Sequence, residues 1–257
     1  MAHGATTRAR VRAMKHPSMS SSVSVSSVSS VSSVSRSARA RARTRGTQDV
    51  GLVIMDRDGV LNADVGAPGV TRARDLALIP RAALAVRLAN DRGVTVCVAT
   101  NQSAIGKGLV DEAYVTTEIH GELAAALARE GDGATIDGGI FMCATTREKE
   151  PDCERRKPAP GMVLEALARF GVEARRAVFI GDTMTDMQAA ARAGGVRRAL
   201  VCTGYGRVMG EALKRANVEL PTTLTSPTDD PTGTVPRECF PVRVYEDAYQ
   251  AMEDILA

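Results

Sequence analysis

The sequence lacks tryptophan, and aromatic residues make up only 3% of its 257 positions. A folded core must therefore be aliphatic, built from valine, isoleucine, leucine and alanine. No apolar run approaches the roughly 20 residues that a helix needs to cross a bilayer, so we predict a soluble protein without a membrane partner. The five cysteines are scattered and odd in number, which indicates a reduced compartment and not a disulfide scaffold.

Acidic residues are absent from the first 48 positions, which contain nine lysines and arginines. Serine with interspersed valine dominates residues 18–37, and such low complexity predicts a disordered segment. An acid-free arm rich in serine and arginine is typical of organellar transit peptides. We therefore predict that residues 1–48 direct the protein to the chloroplast, with the mitochondrion or the cytoplasm as alternatives. A basic tail that binds anions or directs nuclear import is the other interpretation.

The rest of the chain is acidic. Subtracting the nine basic residues of the arm from the total of 33 leaves 24, against 30 acidic residues. The basic pI of the whole chain therefore belongs to the arm, and an acidic body disfavours binding to nucleic acid. We expect residues 49–257 to form one domain and the protein to be a monomer.

Apolar runs alternate with helical patterns along residues 49–257. We expect strands at Val50–Met55, Val94–Ala99, Ile136–Met142, Ala177–Ile180, Ala199–Cys202 and Pro241–Tyr245. We expect helices at Ala82–Asp91, Asp111–Glu130, Gly161–Phe170, Thr185–Ala193 and Ala248–Leu256, and a loop at residues 221–236. This alternation predicts an α/β fold with a doubly wound, Rossmann-like, mostly parallel sheet. The connections are too short for a separate cap domain.

Carboxylates follow two of the predicted strands. Asp56 and Asp58 follow the apolar run 52–55, whereas Asp182 follows the strand at 177–180, with Asp186 one helical turn later. Taken singly, these residues fit a polar turn or the start of a helix. Together they would crowd the edge where parallel strands end, which is costly without a cation. Oxygen donors suit Mg²⁺, so the sequence predicts a magnesium site with an aspartate nucleophile.

Four segments resemble the haloacid dehalogenase superfamily of phosphohydrolases. They are Asp-Arg-Asp-Gly-Val-Leu-Asn at 56–62, Thr-Asn-Gln-Ser at 100–103, Arg-Lys-Pro-Ala-Pro-Gly-Met at 156–162 and Gly-Asp-Thr-Met-Thr-Asp-Met-Gln-Ala-Ala at 181–190. They look like subfamily IIIA, the branch with heptose-1,7-bisphosphate 7-phosphatase and the histidinol-phosphatase domain. This resemblance implies Mg²⁺-dependent hydrolysis of small phosphate monoesters, above all a sugar phosphate or bisphosphate, through an aspartyl-phosphate.

The resemblance also implies a role for each matching residue. Asp56 is the nucleophile and Asp58 the general acid and base. Lys157 neutralises the transferring phosphoryl group, and Thr100 donates a hydrogen bond there. The residues implied in substrate binding are Asn101, Gln102, Ser103 and Arg156. The implied metal ligands are Asp56, the backbone carbonyl of Asp58, Asp182 and, directly or through water, Asp186.

The chain departs from these relatives in two loops. Val65 and Ala67 stand where bulky polar or aromatic residues often orient the substrate. The relatives also often carry Cys-x-His and Cys-x-Cys before Arg-Lys-Pro, whereas here only Cys143 and Cys153 remain. A closed zinc site needs four nitrogen or sulfur donors. We therefore expect no zinc and two free thiols, with a disulfide as the alternative in an oxidising plastid.

Two rival functions follow from the same motifs. DNA 3′-phosphatase domains share a similar Asp-x-Asp-Gly and Thr-Asn-Gln, but they need a basic groove, which an acidic body does not favour. Histidinol phosphate is another possible substrate. A non-catalytic scaffold that binds phosphate is the second rival, and it would not require Asp58 for acid–base work.

Overall fold

The structure is a computed structural model that describes residues 50–257. The predicted transit peptide at residues 1–48 lies outside these residues. A seven-stranded sheet runs through the described part in the order β3-β2-β1-β4-β5-β7-β6. The strands are β1 Leu52–Met55, β2 Thr95–Asn101, β3 Ile140–Cys143, β4 Ala177–Gly181, β5 Arg197–Val201, β6 Thr222–Leu224 and β7 Val242–Tyr245. All neighbouring strands are parallel except β6 and β7, which confirms the predicted doubly wound fold.

Helices cover both faces of the sheet. They are α1 Ala82–Asp91, α2 Ser103–Gly106, α3 Glu112–Tyr114, α4 His120–Glu130, α5 Gly161–Phe170, α6 Met184–Arg192, α7 Arg207–Arg215 and α8 Ala248–Ile255. A π-helical segment at Val115–Ile119 joins α3 to α4, so the long helix predicted at Asp111–Glu130 is present. Asp111 is the N-cap of α3, and its carboxylate accepts the backbone N–H groups of Ala113 and Tyr114.

Strand β1, in the interior of the sheet, is buried on both faces. Val53 and Met55 pack in the core beneath α1 and α8, whereas Leu52 and Ile54 pack in the core beneath α5 and α6. Because successive side chains of a strand point to opposite faces, a strand covered on both sides needs an unbroken apolar run. This arrangement positions the residues that follow Met55 at the end of the sheet.

Three elements differ most from the sequence prediction. The loop predicted at 221–236 contains β6, which pairs antiparallel with β7 at the sheet edge and buries Leu224. Helix α7 was not expected, because Gly210 weakens its helical signal, yet it buries Met209 and Leu213. Strand β3 begins at Ile140 and not at residue 136, because Gly139 has a φ of +77° and ends a turn there.

Residues 50–257 belong to one compact unit, and no second unit in this part of the chain serves as a cap. No helix within these residues is long and apolar enough to cross a membrane.

Candidate active site

Three adjacent strands, β2, β1 and β4, bring the motif residues to one edge of the sheet. Asp56 directly follows β1, and its backbone N–H donates to the Ile180 carbonyl at 3.0 Å. Asp182 directly follows β4, and Asp186 lies in the first turn of α6. Asp56, Asp182 and Asp186 each offer one carboxylate oxygen, and these oxygens lie within 4.8 Å of one another. The three side chains, which we call the aspartate cluster, are all buried.

Lys157 is the cation within this cluster. Its Nζ lies 2.8 Å from Asp56 Oδ1 and 2.7 Å from Asp186 Oδ1, and it donates to the Ala99 carbonyl at 2.9 Å. The residue is only 3% exposed. Burial alone would lower its pKa, but the two carboxylates outweigh burial and raise the pKa above its ordinary value. Lys157 is therefore a fixed positive charge beside the proposed nucleophile.

One buried lysine does not balance three buried carboxylates. Burial raises the pKa of Asp56 to about 7, with Lys157 opposing the rise and Asp186 adding to it. Burial, together with the charges of Asp186 and Asp56, raises the pKa of Asp182 to about 8. Asp182 Oδ2 accepts the Tyr205 backbone N–H at 2.8 Å, but its buried Oδ1 accepts no hydrogen bond from the described residues. A cation would satisfy this oxygen, so the cluster fits a bound metal ion.

Two glycines make room for the Asp182 carboxylate. Gly59 and Gly204 have φ values of +85° and +51°, and a Cβ at either position would collide with Asp182 Oδ2. Gly59 also makes the turn after Asp58, which glycine adopts without the strain of a side chain. The Asp-x-Asp-Gly motif therefore needs glycine for a contact with a residue more than a hundred positions away.

Asp58 has a different environment. Arg57 Nη2 lies 3.0 Å and 2.9 Å from its two carboxylate oxygens, and Asn62 Nδ2 and Gln102 Nε2 each donate to it at 2.9 Å. Burial alone would raise the pKa of Asp58, but the Arg57 charge and these hydrogen bonds outweigh it and lower the pKa. The protein itself therefore holds Asp58 ionised and fixed in place.

Sequence reasoning missed the supporting roles of Arg57 and His120. Arg57 is fully buried, and Nη2 also donates to Gln102 Oε1 at 3.0 Å while Nη1 lies 3.3 Å from His120 Nε2. Burial and the nearby Arg57 lower the pKa of His120 to about 4, so its neutral ring can accept a hydrogen bond. An arginine two residues after a buried strand was the available signal, because a buried guanidinium requires partners.

The Thr-Asn-Gln segment supports other site residues. Asn101 Nδ2 donates to the Lys157 carbonyl at 3.0 Å, and the Lys157 N–H donates to Asn101 Oδ1 at 3.1 Å. Gln102 Nε2 donates to Thr100 Oγ1 at 2.9 Å as well as to Asp58. The two amides position Lys157 and Asp58 in this structure, and their role in substrate binding stays a prediction. Thr100 is buried beside them, and its hydroxyl hydrogen can be donated.

Arg156 and Ser103 form a separate contact. Arg156 Nη2 donates to Ser103 Oγ at 2.9 Å, and Nη1 donates to the Thr145 carbonyl at 2.8 Å. The arginine is half-buried, so part of it remains open to solvent. This contact joins the loop before α5 to the start of α2.

Asp186 combines two roles that sequence analysis treated as alternatives. Its Oδ2 accepts the Thr183 N–H at 3.0 Å while Thr183 caps α6, which forms a capping box. Its Oδ1 pairs with Lys157 and belongs to the aspartate cluster. The capping contact therefore also orients this carboxylate toward the aspartate cluster.

Comparison with known proteins agrees with this geometry. A family model described as haloacid dehalogenase-like hydrolase matches residues 67–194. A D-glycero-beta-D-manno-heptose-1,7-bisphosphate 7-phosphatase from Bordetella bronchiseptica is 38% identical over 156 residues, covering 61% of this chain and 83% of the relative. A protein with the same name from Neisseria meningitidis serogroup A is 35% identical over 170 residues, covering 66% of this chain and 85% of the relative.

A solved structure is also similar. The D,D-heptose 1,7-bisphosphate phosphatase from B. bronchiseptica, complexed with magnesium and phosphate, superimposes with a TM-score of 0.62 at 31% sequence identity. The match covers 80% of this chain and 98% of that one.

Proposed function

We propose that this chain removes one phosphoryl group from a sugar bisphosphate such as heptose 1,7-bisphosphate. The chain belongs to the haloacid dehalogenase-like hydrolase family and is a phosphatase. The reaction uses Mg²⁺ and a covalent aspartyl-phosphate. The observation that most supports this mechanism is the contrast between Asp56 and Asp58. Asp56 lies in the aspartate cluster beside Lys157, whereas Asp58 is held by neutral amides and Arg57.

In this mechanism Asp56 attacks the phosphoryl group. Lys157 Nζ and the Arg57 backbone N–H both bind Asp56 Oδ1, at 2.8 Å and 2.7 Å. Because these contacts fix the carboxylate, one of its oxygens can form the bond to phosphorus while the bond to the leaving alkoxide breaks. Lys157 also offsets negative charge on the transferring phosphoryl group.

Asp58 moves the protons. The like charge of a phosphoryl group beside Asp58 raises its pKa, so the carboxyl can carry the proton that the leaving alkoxide takes. Once the alcohol has left, the Asp58 carboxylate removes a proton from water as the water attacks the aspartyl-phosphate. This step releases inorganic phosphate and restores the Asp56 carboxylate.

The residues that would hold Mg²⁺ are Asp56, Asp182 and Asp186, with the backbone carbonyl of Asp58. The unsatisfied Asp182 Oδ1 and the raised pKa values of Asp56 and Asp182 support a divalent cation here. Charge neutralisation and alignment of the phosphoryl oxygens are the chemistry that Mg²⁺ would supply.

The named relatives support a heptose bisphosphate as the substrate. The residues of the loop at 63–67 are a reason to test other phosphorylated substrates as well. Val65 is 52% exposed and offers no polar group to a sugar hydroxyl. A phosphate-release screen should therefore compare heptose 1,7-bisphosphate with other sugar phosphates, histidinol phosphate and 3′-phosphorylated DNA. We expect the highest kcat/KM for a sugar bisphosphate. A preference of about tenfold or more for DNA or histidinol phosphate would reject the sugar assignment.

We further propose that residues 1–48 target the protein to the chloroplast and that the enzyme is a monomer. The acid-free arginine and serine composition supports the first proposal. A fluorescent reporter fused to residues 1–48 should enter plastids, and a reporter that stays in the cytosol or enters the nucleus would reject targeting. Analytical ultracentrifugation of the purified protein should give the mass of one chain.

A further inference from the structure

Cys143 and Cys153 lie side by side at the base of the loop that leads to Arg156. Their Sγ atoms are 3.8 Å apart although the residues are ten positions apart in sequence. Cys143 ends β3 and is buried, whereas Cys153 is half-buried on the loop. Both are free thiols. Since a disulfide has an S–S distance of about 2.05 Å, a small approach of the two sulfurs would create a covalent link.

A metal ion is a poorer occupant of this position than a disulfide. Tetrahedral zinc needs four nitrogen or sulfur donors. Within residues 50–257, the aspartate cluster is the one group of three or more potential ligands that lie close enough together to hold a metal ion. The two sulfurs do not belong to it. The pair therefore has the geometry for a cross-link without a complete ligand set.

Solvent reaches the pair through a shallow depression of about 690 Å³ beside it. Both cysteines line this depression, together with one arginine and four carboxylates, which are Glu112, Glu150, Asp152 and Glu154. An excess of carboxylates attracts a cationic oxidant and repels an anionic one. Cys153 is the more exposed thiol and is the one that such an oxidant reaches first.

We propose that Cys143 and Cys153 are a redox modification site that forms a reversible disulfide by exchange with a disulfide oxidant. The Cys153 thiolate attacks one sulfur of the oxidant and displaces one thiolate. The Cys143 thiolate then attacks the Cys153 sulfur and displaces the second. The two cysteines lose two protons and two electrons, and the oxidant is reduced to two thiols.

The cross-link acts on the loop that holds Arg156. The Arg156 N–H donates to the Cys153 carbonyl at 3.2 Å, and the Gln102 N–H donates to the Cys143 carbonyl at 2.8 Å. Because Cys143 is fixed in the sheet, closing the sulfur gap pulls the Cys153 segment and displaces the Arg156 backbone. The Arg156 guanidinium contacts Ser103 and Thr145, so oxidation changes how the substrate is held. This effect on activity rests on the proposed function, whereas the disulfide itself does not.

The first experiment detects the bond. The full chain is incubated with cystamine, a cationic disulfide, then alkylated and analysed by peptide mass spectrometry. We expect a cross-linked peptide pair joining Cys143 to Cys153, with free thiols falling from five to three and returning to five with dithiothreitol. Cys202→Ser, which removes another half-buried thiol, should still form the bond, and Cys153→Ser should not. Two thiols that stay reduced, mixed disulfides alone, or bound zinc that a chelator releases would each overturn the proposal.

The second experiment measures the effect of the bond. Oxidised and reduced enzyme are compared on the substrate that the screen selects. We expect KM to change by about threefold or more with kcat within about twofold, and dithiothreitol to reverse the change. Equal KM values in a chain shown to carry the disulfide would overturn the effect on Arg156. Reduced enzyme without phosphatase activity would instead reject the proposed function and leave the thiol measurement intact.

Discussion

Asp58 and Asp182 lie at the ends of neighbouring strands, yet the protein surrounds them differently. Asp58 accepts hydrogen bonds from Arg57, Asn62 and Gln102, and its pKa is lowered. Asp182 accepts one backbone N–H, while its other oxygen accepts no hydrogen bond from residues 50–257, and burial raises its pKa to about 8. The protein therefore stabilises the Asp58 carboxylate by itself, whereas the Asp182 carboxylate would need a bound cation.

This difference separates two tasks. A proton carrier must keep its position through two steps, which a surrounding set of donors ensures. A metal ligand must instead lack protein donors on the side that meets the ion, so the folded protein without metal carries a local electrostatic cost. Asp182, whose Oδ1 accepts no hydrogen bond from residues 50–257, is accordingly among the carboxylates that we assign to Mg²⁺.

Asp56→Asn should cause the largest loss, because the amide cannot form the acyl-phosphate. We expect kcat to fall by about 10⁴-fold or more while the circular dichroism spectrum stays unchanged. Phosphate release under saturating substrate measures the loss. Asp91→Asn, an exposed aspartate on α1, is the matched control and should keep full activity. Normal turnover by pure Asp56→Asn protein would contradict the nucleophile assignment.

Asp182→Asn tests directly whether this carboxylate binds Mg²⁺. We expect activity to fall by roughly 10²-fold or more, because removing a direct ligand weakens Mg²⁺ binding. Above about pH 8, where Asp182 is ionised, the Tm of the metal-free protein should rise, since one buried negative charge is gone. Differential scanning fluorimetry with and without Mg²⁺ measures both effects. A variant with lower Tm in EDTA and an unchanged response to Mg²⁺ would break the comparison between the two carboxylates.

Gln102→Leu tests the carboxylate that the protein stabilises, which is Asp58. The substitution removes donors to Asp58 and Thr100 and an acceptor from Arg57. We expect kcat to fall by about tenfold, as is usual for partners that orient a functional group, with the Mg²⁺ concentration for half-maximal activity unchanged. Steady-state kinetics over a series of Mg²⁺ concentrations separates the effect on kcat from any effect on the Mg²⁺ requirement. A changed Mg²⁺ requirement would show that the two halves of the site are not independent.

The metal-free protein should lose stability as the pH rises. An unfolded aspartate has a pKa of about 4, whereas the folded values of Asp56 and Asp182 are about 7 and about 8. The folded state binds these protons more tightly, so this contribution is fully present below about pH 4 and is lost as the pH rises through about 8. Tm in EDTA should therefore fall from about pH 5.5 to about pH 8.5, and the increase caused by Mg²⁺ should grow over the same range. A flat profile would remove the electrostatic argument for the cation.

Local signals explain what the sequence predicted well. Helices Ala82–Asp91 and Gly161–Phe170 have the predicted bounds, because apolar spacing and a terminal glycine such as Gly171, at φ +61°, are encoded within a few residues. Strand β6 and helix α7 were missed because each gains stability from distant packing against the sheet. Their short or glycine-containing sequences carry little signal alone.

The features of the candidate active site also divide into those that local sequence predicts and those that depend on distant contacts. Spacing within the motifs identified the carboxylates, because the ends of parallel strands share one edge of the sheet. The environment of Arg57 was not predictable, since Gln102 and His120 are 45 and 63 positions away in sequence. The roles of Asn101 and Gln102 as positioning residues likewise depend on contacts that no local pattern encodes.

Deleting residues 1–48 should have the smallest effect on both carboxylates. Every contact described around Asp58 and Asp182 joins residues between 56 and 205. The arm has a composition that does not pack. We expect kcat/KM within about twofold of the full chain and Tm within about 2 °C. Parallel kinetics and thermal melts on the two proteins provide the measurement. A large loss of activity would show that the arm contributes to the site, and the two carboxylates could then no longer be compared within residues 50–257 alone.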